Sequence, residues 1–217
     1  MLRAGLTGGI ATGKSTVAAI LRDLGCHLLE ADKIAHGLIE PGASAYDDVV
    51  AEFGRGILTP DSRVDRSQLG AIVFADPKKL SKLNAIVHPL VFAAQDRELA
   101  AIEKAELHAI AVVEAALLIE AGYTDRLDTL IVTWCTPEQQ LERLTMPGAG
   151  RELTIEQARQ RIAAQMPLEE KRRRANEVVD CSGSLAQTRE QTVTLYAKLK
   201  ELEAMRSRRL EAGGIST

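Results

Sequence analysis

The feature that most constrains this chain is a glycine-rich run near its start, Gly8-Gly9-Ile10-Ala11-Thr12-Gly13-Lys14-Ser15-Thr16. From Gly8 to Ser15 it fills the pattern G-x-x-x-x-G-K-[ST]. Small residues let the backbone N–H groups of such a loop turn inward around phosphate oxygens. The helix that follows adds its positive N-terminal end, Lys14 reaches the outer phosphates, and the Ser15 hydroxyl can ligate Mg²⁺. The flanks suit this geometry. Residues 2–6 read as a short buried strand, and residues 15–24 read as a helix with Val17, Ile20, Leu21 and Leu24 on one side. Strand, loop and helix in that order commit the chain to an α/β fold.

A length of 217 residues accommodates one α/β domain with an inserted or appended subdomain. Apolar residues make up 46% and aromatic residues only 3%, so the core is expected to consist of Leu, Ile, Val and Ala. A net charge of −3 argues against a general nucleic-acid or anionic-membrane binder. Cys26, Cys135 and Cys181 are far apart and lack zinc-ligand spacing, which favours reduced core thiols. No run reaches transmembrane length, and the start of the chain enters a strand directly, so the cytoplasm is the expected location.

Strand and helix signals alternate, as in a mostly parallel sheet covered by helices. Strands are predicted at 26–30, 108–113, 127–133 and 177–180. Between 32 and 105 the pattern is largely helical, with helices predicted at 47–53, 66–74 and 78–104, punctuated by Pro41-Gly42, Pro60, Pro77 and Pro89. That insertion reads as a substrate-binding subdomain. Thr136 with Gln139, Thr154 with Gln157 and Ser184 with Gln187 have the spacing of capping boxes and start three helices, the second predicted to reach about 165 and the third about 209. The predicted division is a core of 1–31 with 106–140 and 175–211, a helical acceptor segment at 32–105, a lid at 141–174 and a frayed tail at 212–217.

A phosphate loop indicates a nucleotide but no particular reaction. Asp32, just past the second strand, lies at the sheet edge where ligands of open α/β folds bind. It could accept the proton of an attacking hydroxyl, or it could cap the following helix. Arg143, Arg151, Arg159 and Arg161 flank the break Met146-Pro147-Gly148-Ala149-Gly150. Two arginine-bearing helices around such a break read as a lid closing over a γ-phosphate, or as a solvated hairpin. Lys171-Arg172-Arg173-Arg174 reads as a solvated helix end able to meet phosphates. His88 is either a packed helix residue or a substrate contact. Glu114, ending its strand, stands where a carboxylate can hold a metal-bound water.

Several segments together resemble the dephospho-CoA kinase family over nearly the whole chain. They are Gly5-Leu6-Thr7-Gly8-Gly9-Ile10 leading into Gly13-Lys14-Ser15-Thr16, Glu30-Ala31-Asp32-Lys33-Ile34-Ala35-His36, Val64-Asp65-Arg66 through Leu69 and Phe74, Ile86-Val87-His88-Pro89, Leu117-Leu118-Ile119-Glu120, Gln140-Leu141-Glu142-Arg143-Leu144, Ala158 to Gln165 and Val178-Val179-Asp180. The resemblance implies a P-loop kinase core with a helical CoA domain and a small helical lid. It implies transfer of the ATP γ-phosphate, with Mg²⁺, to the ribose 3′-hydroxyl of dephospho-CoA. Residues Gly8 to Thr16 and Arg143 would bind ATP, Ser15 the metal, and Asp32 the acceptor hydroxyl. Asp65, Arg66 and His88 would belong to the acceptor site, and Lys14, Asp32 and Arg143 would carry the chemistry. A monomer or weak homo-oligomer is expected. The chain departs from the family pattern in four places. Ala11-Thr12 replace Gly-Ser, Ala115-Ala116 replace a pair ending in Pro and should loosen the loop after Glu114, Cys181 replaces an Asn, and the lid turn lacks charge before Arg151. Two rivals are another small-molecule P-loop kinase and a nucleotide switch, although the Asn-Lys-x-Asp guanine signature is missing from the sequence.

Overall fold

Every residue of Leu2–Gly8 except Arg3 is buried, the pattern of a strand covered on both faces. This segment is β1 in a computed structural model that describes residues 1–147 and 153–213. It leads through the glycine-rich loop into α1 (Lys14–Asp23), then β2 (His27–Glu30), α2 (Ala31–Leu38), α3 (Tyr46–Phe53), α4 (Arg66–Phe74) and α5 (Pro77–Ala105). The chain continues through β3 (Ile110–Glu114), β4 (Thr129–Trp134), α6 (Pro137–Thr145), α7 (Ile155–Ala163), α8 (Leu168–Arg174), β5 (Glu177–Asp180) and α9 (Leu185–Gly213).

The strands form one sheet in the order β2-β3-β1-β4-β5. β1 pairs in parallel with β3, with Leu6 opposite Glu114, and with β4, with Gly8 opposite Thr133. β4 pairs in parallel with β5, with Trp134 opposite Asp180. The order reverses at β1, since β3 lies on one side and β4 on the other. Ligands in such sheets bind beyond the carboxyl ends of the strands at this switch point. All five strands carry their C-terminal residues to that edge.

Leu2, Ala4 and Leu6 of β1, Val17 and Leu21 of α1, Ile110 and Val112 of β3, Ile131 of β4, and Leu195 and Leu199 of α9 form the central core. Burying each large aliphatic side chain contributes roughly 1.5–3 kcal/mol, so a nearly aromatic-free interior can hold the sheet. Cys26, Cys135 and Cys181 are buried and free.

The chain resolves into two compact units, Met1–Leu29 with Leu99–Thr217, and Glu30–Glu98. The first holds most of the sheet together with α1 and α6–α9. The second holds α2 to α4 and most of α5. Within it, Tyr46 donates its hydroxyl to the Ser62 carbonyl at 2.5 Å, and Arg63 pairs with Glu40 at 2.8 Å.

The helix predicted at 78–104 is present as α5, which continues through Pro89 although proline removes one helical hydrogen bond. Apolar anchors on both sides of it, Val87 and Val91, are buried and hold the helix together. The helix predicted to reach 165 ends at Ala163, because Met166-Pro167 interrupts it before α8. Lys171, read as a solvated residue, has a fully buried side chain. Part of the predicted lid turn, Arg151 included, and the last four residues of the tail lie outside the described residues. Among the described residues no helix is long and apolar enough to cross a membrane.

Candidate active site

The phosphate loop leaves β1 at Gly8, where a side chain would meet the Thr133 carbonyl oxygen at 2.8 Å. Glycine is therefore required by close packing against β4. The loop returns at Gly13, the N-cap of α1, with φ 92° and ψ 10°. That left-handed conformation favours glycine, and a Cβ would also lie 2.9 Å from the Cys181 Sγ. No side chain caps α1. The first N–H groups of the helix thus stay available, and with the helix dipole they make an anion cradle.

The outer arc of the loop is fixed by side chains. Thr12, fully buried, bonds through Oγ1 to the Gly9 carbonyl at 2.9 Å and to Thr133 Oγ1 at 2.7 Å. The Ile10 N–H donates to Gln165 Oε1 at 2.8 Å, and the Ile10 carbonyl accepts from Gln140 Nε2 at 2.7 Å. Arg143 donates to the Ala11 carbonyl at 3.2 Å and to the Cys181 carbonyl at 2.6 Å. Ala11 itself has φ 62°, a left-handed conformation that glycine would adopt without a steric cost.

Lys14 pairs with Glu114 at 2.6 Å, with side-chain exposures of 14% and 9%. Both charges are mostly out of water and need each other. An incoming phosphate would meet a lysine already aimed at the sheet edge. Ser15 is exposed at the open end of α1. Burial pushes the Cys181 thiol up to about 11, and burial also raises the Cys135 thiol above its ordinary value. Both stay as neutral, unreactive thiols beneath the loop.

The loop after β3 is braced, contrary to the expectation from Ala115-Ala116. The Ala116 carbonyl accepts from Thr7 Oγ1 at 3.2 Å and from Lys171 Nζ at 2.6 Å. Lys171 also pairs with Glu120 at 2.8 Å, and Glu120 accepts the Met166 N–H at 3.1 Å. A backbone carbonyl supplies the anchor that proline was expected to supply. Next to this brace, Trp134 donates Nε1–H to Glu169 at 2.6 Å and lies under the Arg172 guanidinium at 5.1 Å.

In the unit Glu30–Glu98, Asp32 sits in the first turn of α2 and is exposed. The N-cap is Glu30, without a side-chain cap, so Asp32 is not the capping residue. His36 is held below its usual pKa by desolvation first and by the Arg66 charge second, with Asp32 and Glu40 opposing. These four charged or titratable groups therefore share one neighbourhood. Asp65 caps α4, its Oδ1 accepting from the Ser67 and Gln68 N–H groups at 2.9 and 3.1 Å. His88 stacks on Phe92 with ring centroids 5.9 Å apart, and desolvation lowers its pKa. Gln140, Gln165 and Lys171 were missed by sequence reading as groups that shape the site. Gln140 and Gln165 fall within segments that resemble the family, but nothing local to either residue, or to Lys171, points to the loop it serves.

A parallel sheet with a phosphate loop at its switch point, an open helix terminus and a lysine at the loop's end defines a P-loop phosphotransferase. A family model described as dephospho-CoA kinase matches residues 2–187. The chain belongs to the dephospho-CoA kinase family. It is 45% identical to the dephospho-CoA kinase of Geobacter sulfurreducens, covering 89% of this chain and 96% of the relative. With the dephospho-CoA kinase of Geobacillus kaustophilus it shares 43% identity, covering 94% and 98%. A solved structure from Thermus thermophilus superposes with a TM-score of 0.77 at 34% identity, covering 93% of this chain and 97% of that one. Dephospho-CoA kinase from Campylobacter jejuni gives a TM-score of 0.67 at 28% identity, covering 92% and 97%.

Proposed function

We propose that this enzyme transfers the γ-phosphoryl group of ATP to the ribose 3′-hydroxyl of dephospho-CoA, giving coenzyme A and ADP. The observation that carries this reading is the open, uncapped start of α1 with Lys14 held beside it, in a chain of this family. Phosphoryl transfer asks the protein mainly for positioning and for charge neutralisation. The amides of Gly13, Lys14 and Ser15 would hold the phosphates, and Lys14 would exchange Glu114 for the outer phosphates. Arg143 ties the loop to the Cys181 segment and would meet charge that develops on the transferring group. Asp32, exposed and free of a capping duty, would accept the acceptor's proton.

A divalent ion suits this donor set. Among the described residues no group of three or more His, Cys, Asp or Glu side chains could enclose an ion. The exposed Ser15 hydroxyl is a hard oxygen donor beside the cradle, so Mg²⁺ would take its other ligands from phosphate and water oxygens. When bound with ATP, Mg²⁺ would neutralise charge between the β- and γ-phosphates.

Residues 32–105 would form the acceptor segment, with Arg66, Asp65 and His88 contributing to it, and residues 141–174 the lid. The site would operate in the cytoplasm on dephospho-CoA, by a monomer or weak homo-oligomer.

An acceptor panel in an ADP-release assay tests the assignment. Dephospho-CoA should stimulate ADP release far above nucleoside monophosphates and small alcohols. Equal or greater stimulation by another acceptor would reassign the substrate while leaving the kinase fold intact.

A further inference from the structure

Ile10 is gripped at both ends. Gln165 accepts its N–H at 2.8 Å, and Gln140 donates to its carbonyl at 2.7 Å. The two peptide groups flanking its Cα are therefore oriented by side chains and not by the loop itself. The next residue, Ala11, stays at φ 62°, an uncommon conformation for an L residue that persists only when its surroundings impose it. Gln140 acts from within α6 and is 3% exposed. Gln165 is half-buried and acts from the link between α7 and α8.

That link is anchored. The neighbouring Met166 N–H donates to Glu120 at 3.1 Å, Lys171 pairs with the same carboxylate at 2.8 Å, and Lys171 also donates to the Ala116 carbonyl at 2.6 Å. Gln165 thus reaches the loop from a foot fixed to the segment after β3. The consequence for binding is specific. With its N–H engaged by Gln165, Ile10 is withdrawn from the phosphate cradle, which is left to the amides at the start of α1.

We propose that Gln165 is a positioning residue for ATP. It acts through Ile10 to keep the outer arc of the phosphate loop open in its binding-ready shape. The inference rests on the reading that this loop binds ATP. Gln165 touches no reacting atom in this role. Its loss should therefore weaken ATP binding uniformly, raising the KM for ATP and sparing kcat.

The test compares the wild type with Gln165→Met, which keeps the side-chain length but cannot accept the bond, and with Gln165→Glu, which keeps an acceptor. Amide hydrogen exchange at Ile10 in the nucleotide-free protein reads the bond directly. Exchange should quicken by about tenfold in Gln165→Met and return toward the wild-type rate in Gln165→Glu. The Gln165→Met KM for ATP, or the ATP Kd by calorimetry, should rise by about tenfold, with kcat and the acceptor KM within about twofold. An unchanged ATP affinity in Gln165→Met would overturn the proposal, even if Ile10 exchanged faster. So would tighter binding, because Gln165 would then be occupying a phosphate's place. Thermal unfolding of both variants within a few degrees of the wild type keeps a folding defect from imitating the result. Calorimetry needs no acceptor. A wild type that binds ATP yet transfers nothing to dephospho-CoA would overturn the acceptor assignment and leave this test readable. A wild type that binds no ATP would overturn both.

Discussion

The unit carrying the phosphate loop and the unit Glu30–Glu98 are built on opposite plans. In the first, the candidate site residues are tied into the structure. Lys14 pairs with Glu114, Thr12 is fully buried between two hydroxyl and carbonyl partners, and Arg143 holds two backbone carbonyls. In the second, Asp32 and Arg66 are exposed, and Asp65 is already engaged as a helix cap. A phosphate is small, highly charged and the same in every nucleotide, so a rigid, preformed cradle suits it. A large, flexible acceptor suits exposed groups on helices. The difference teaches that a candidate site residue can double as architecture, as Lys14, Thr12 and Arg143 do, or stand apart from it, as Asp32 and Arg66 do.

Paired substitutions put that contrast at risk most sharply. Lys14→Ala should reduce kcat/KM by about 10³ and also lower stability, since it strands a buried Glu114 carboxylate. Adding Glu114→Gln should restore much of the stability and none of the activity. Asp32→Asn should cost about 10²-fold or more in kcat while ATP binding and the unfolding midpoint stay put, because its side chain is exposed. Steady-state kinetics beside urea titrations would check all three. An Asp32→Asn protein with wild-type turnover would remove the base assignment.

A purely architectural effect should come next in size. Lys171→Met leaves Glu120 without its buried partner and should destabilise by about 3 kcal/mol. The double change with Glu120→Gln should recover part of this, and a urea double-mutant cycle would measure the coupling. A Lys171→Met protein as stable as the wild type would mean that the brace under the β3 loop is dispensable.

Smaller still, Ala11→Gly relieves a left-handed alanine and loosens the unfolded chain. The net gain should be about 0.5 kcal/mol, read as a raised unfolding midpoint. A loss would show that the surrounding clamps already absorb the strain.

The subtlest contrast is in pH. His36 and His88, both in the unit Glu30–Glu98, have pKa values lowered by desolvation, assisted at His36 by Arg66. The unfolded chain takes up their protons more readily than the folded one. The stability they contribute is therefore fully present above the ordinary histidine value of about 6.5, and it is lost as pH falls from there through the lowered folded values. His88→Phe keeps an aromatic contact with Phe92 and removes one titrating group. It should flatten the fall in unfolding temperature between about pH 7.5 and about pH 5.5. An unchanged slope would exclude His88 as a source.

How much of this was legible beforehand follows the same division. The phosphate loop is local and dictated by small residues at fixed spacing, so it could be read directly. The capping boxes at Thr136, Thr154 and Ser184 were equally local, and their hydrogen bonds are present. Lys171 was misread because a lysine heading three arginines has the pattern of a solvated helix end. Its partners, Glu120 and the Ala116 carbonyl, lie about fifty residues away in the chain. The Ile10 clamp escaped for the same reason, since Gln140 and Gln165 are more than a hundred residues from the loop they hold. The helix at 78–104 was legible through Pro89, where the buried Val87 and Val91 on either side keep α5 packed although proline removes a hydrogen bond. At Asp32 the sequence left base and cap open, and the N-cap position of Glu30 removes the cap.

The most direct measurement is ³¹P NMR of the protein with ATP, Mg²⁺ and dephospho-CoA. The expected result is a new 3′-phosphomonoester resonance growing in step with ADP, and growing at least about 10²-fold more slowly with Asp32→Asn. ATP left intact by folded protein that binds it, or phosphate appearing at any other position of the acceptor, would contradict the assignment of this site as the enzyme that completes coenzyme A.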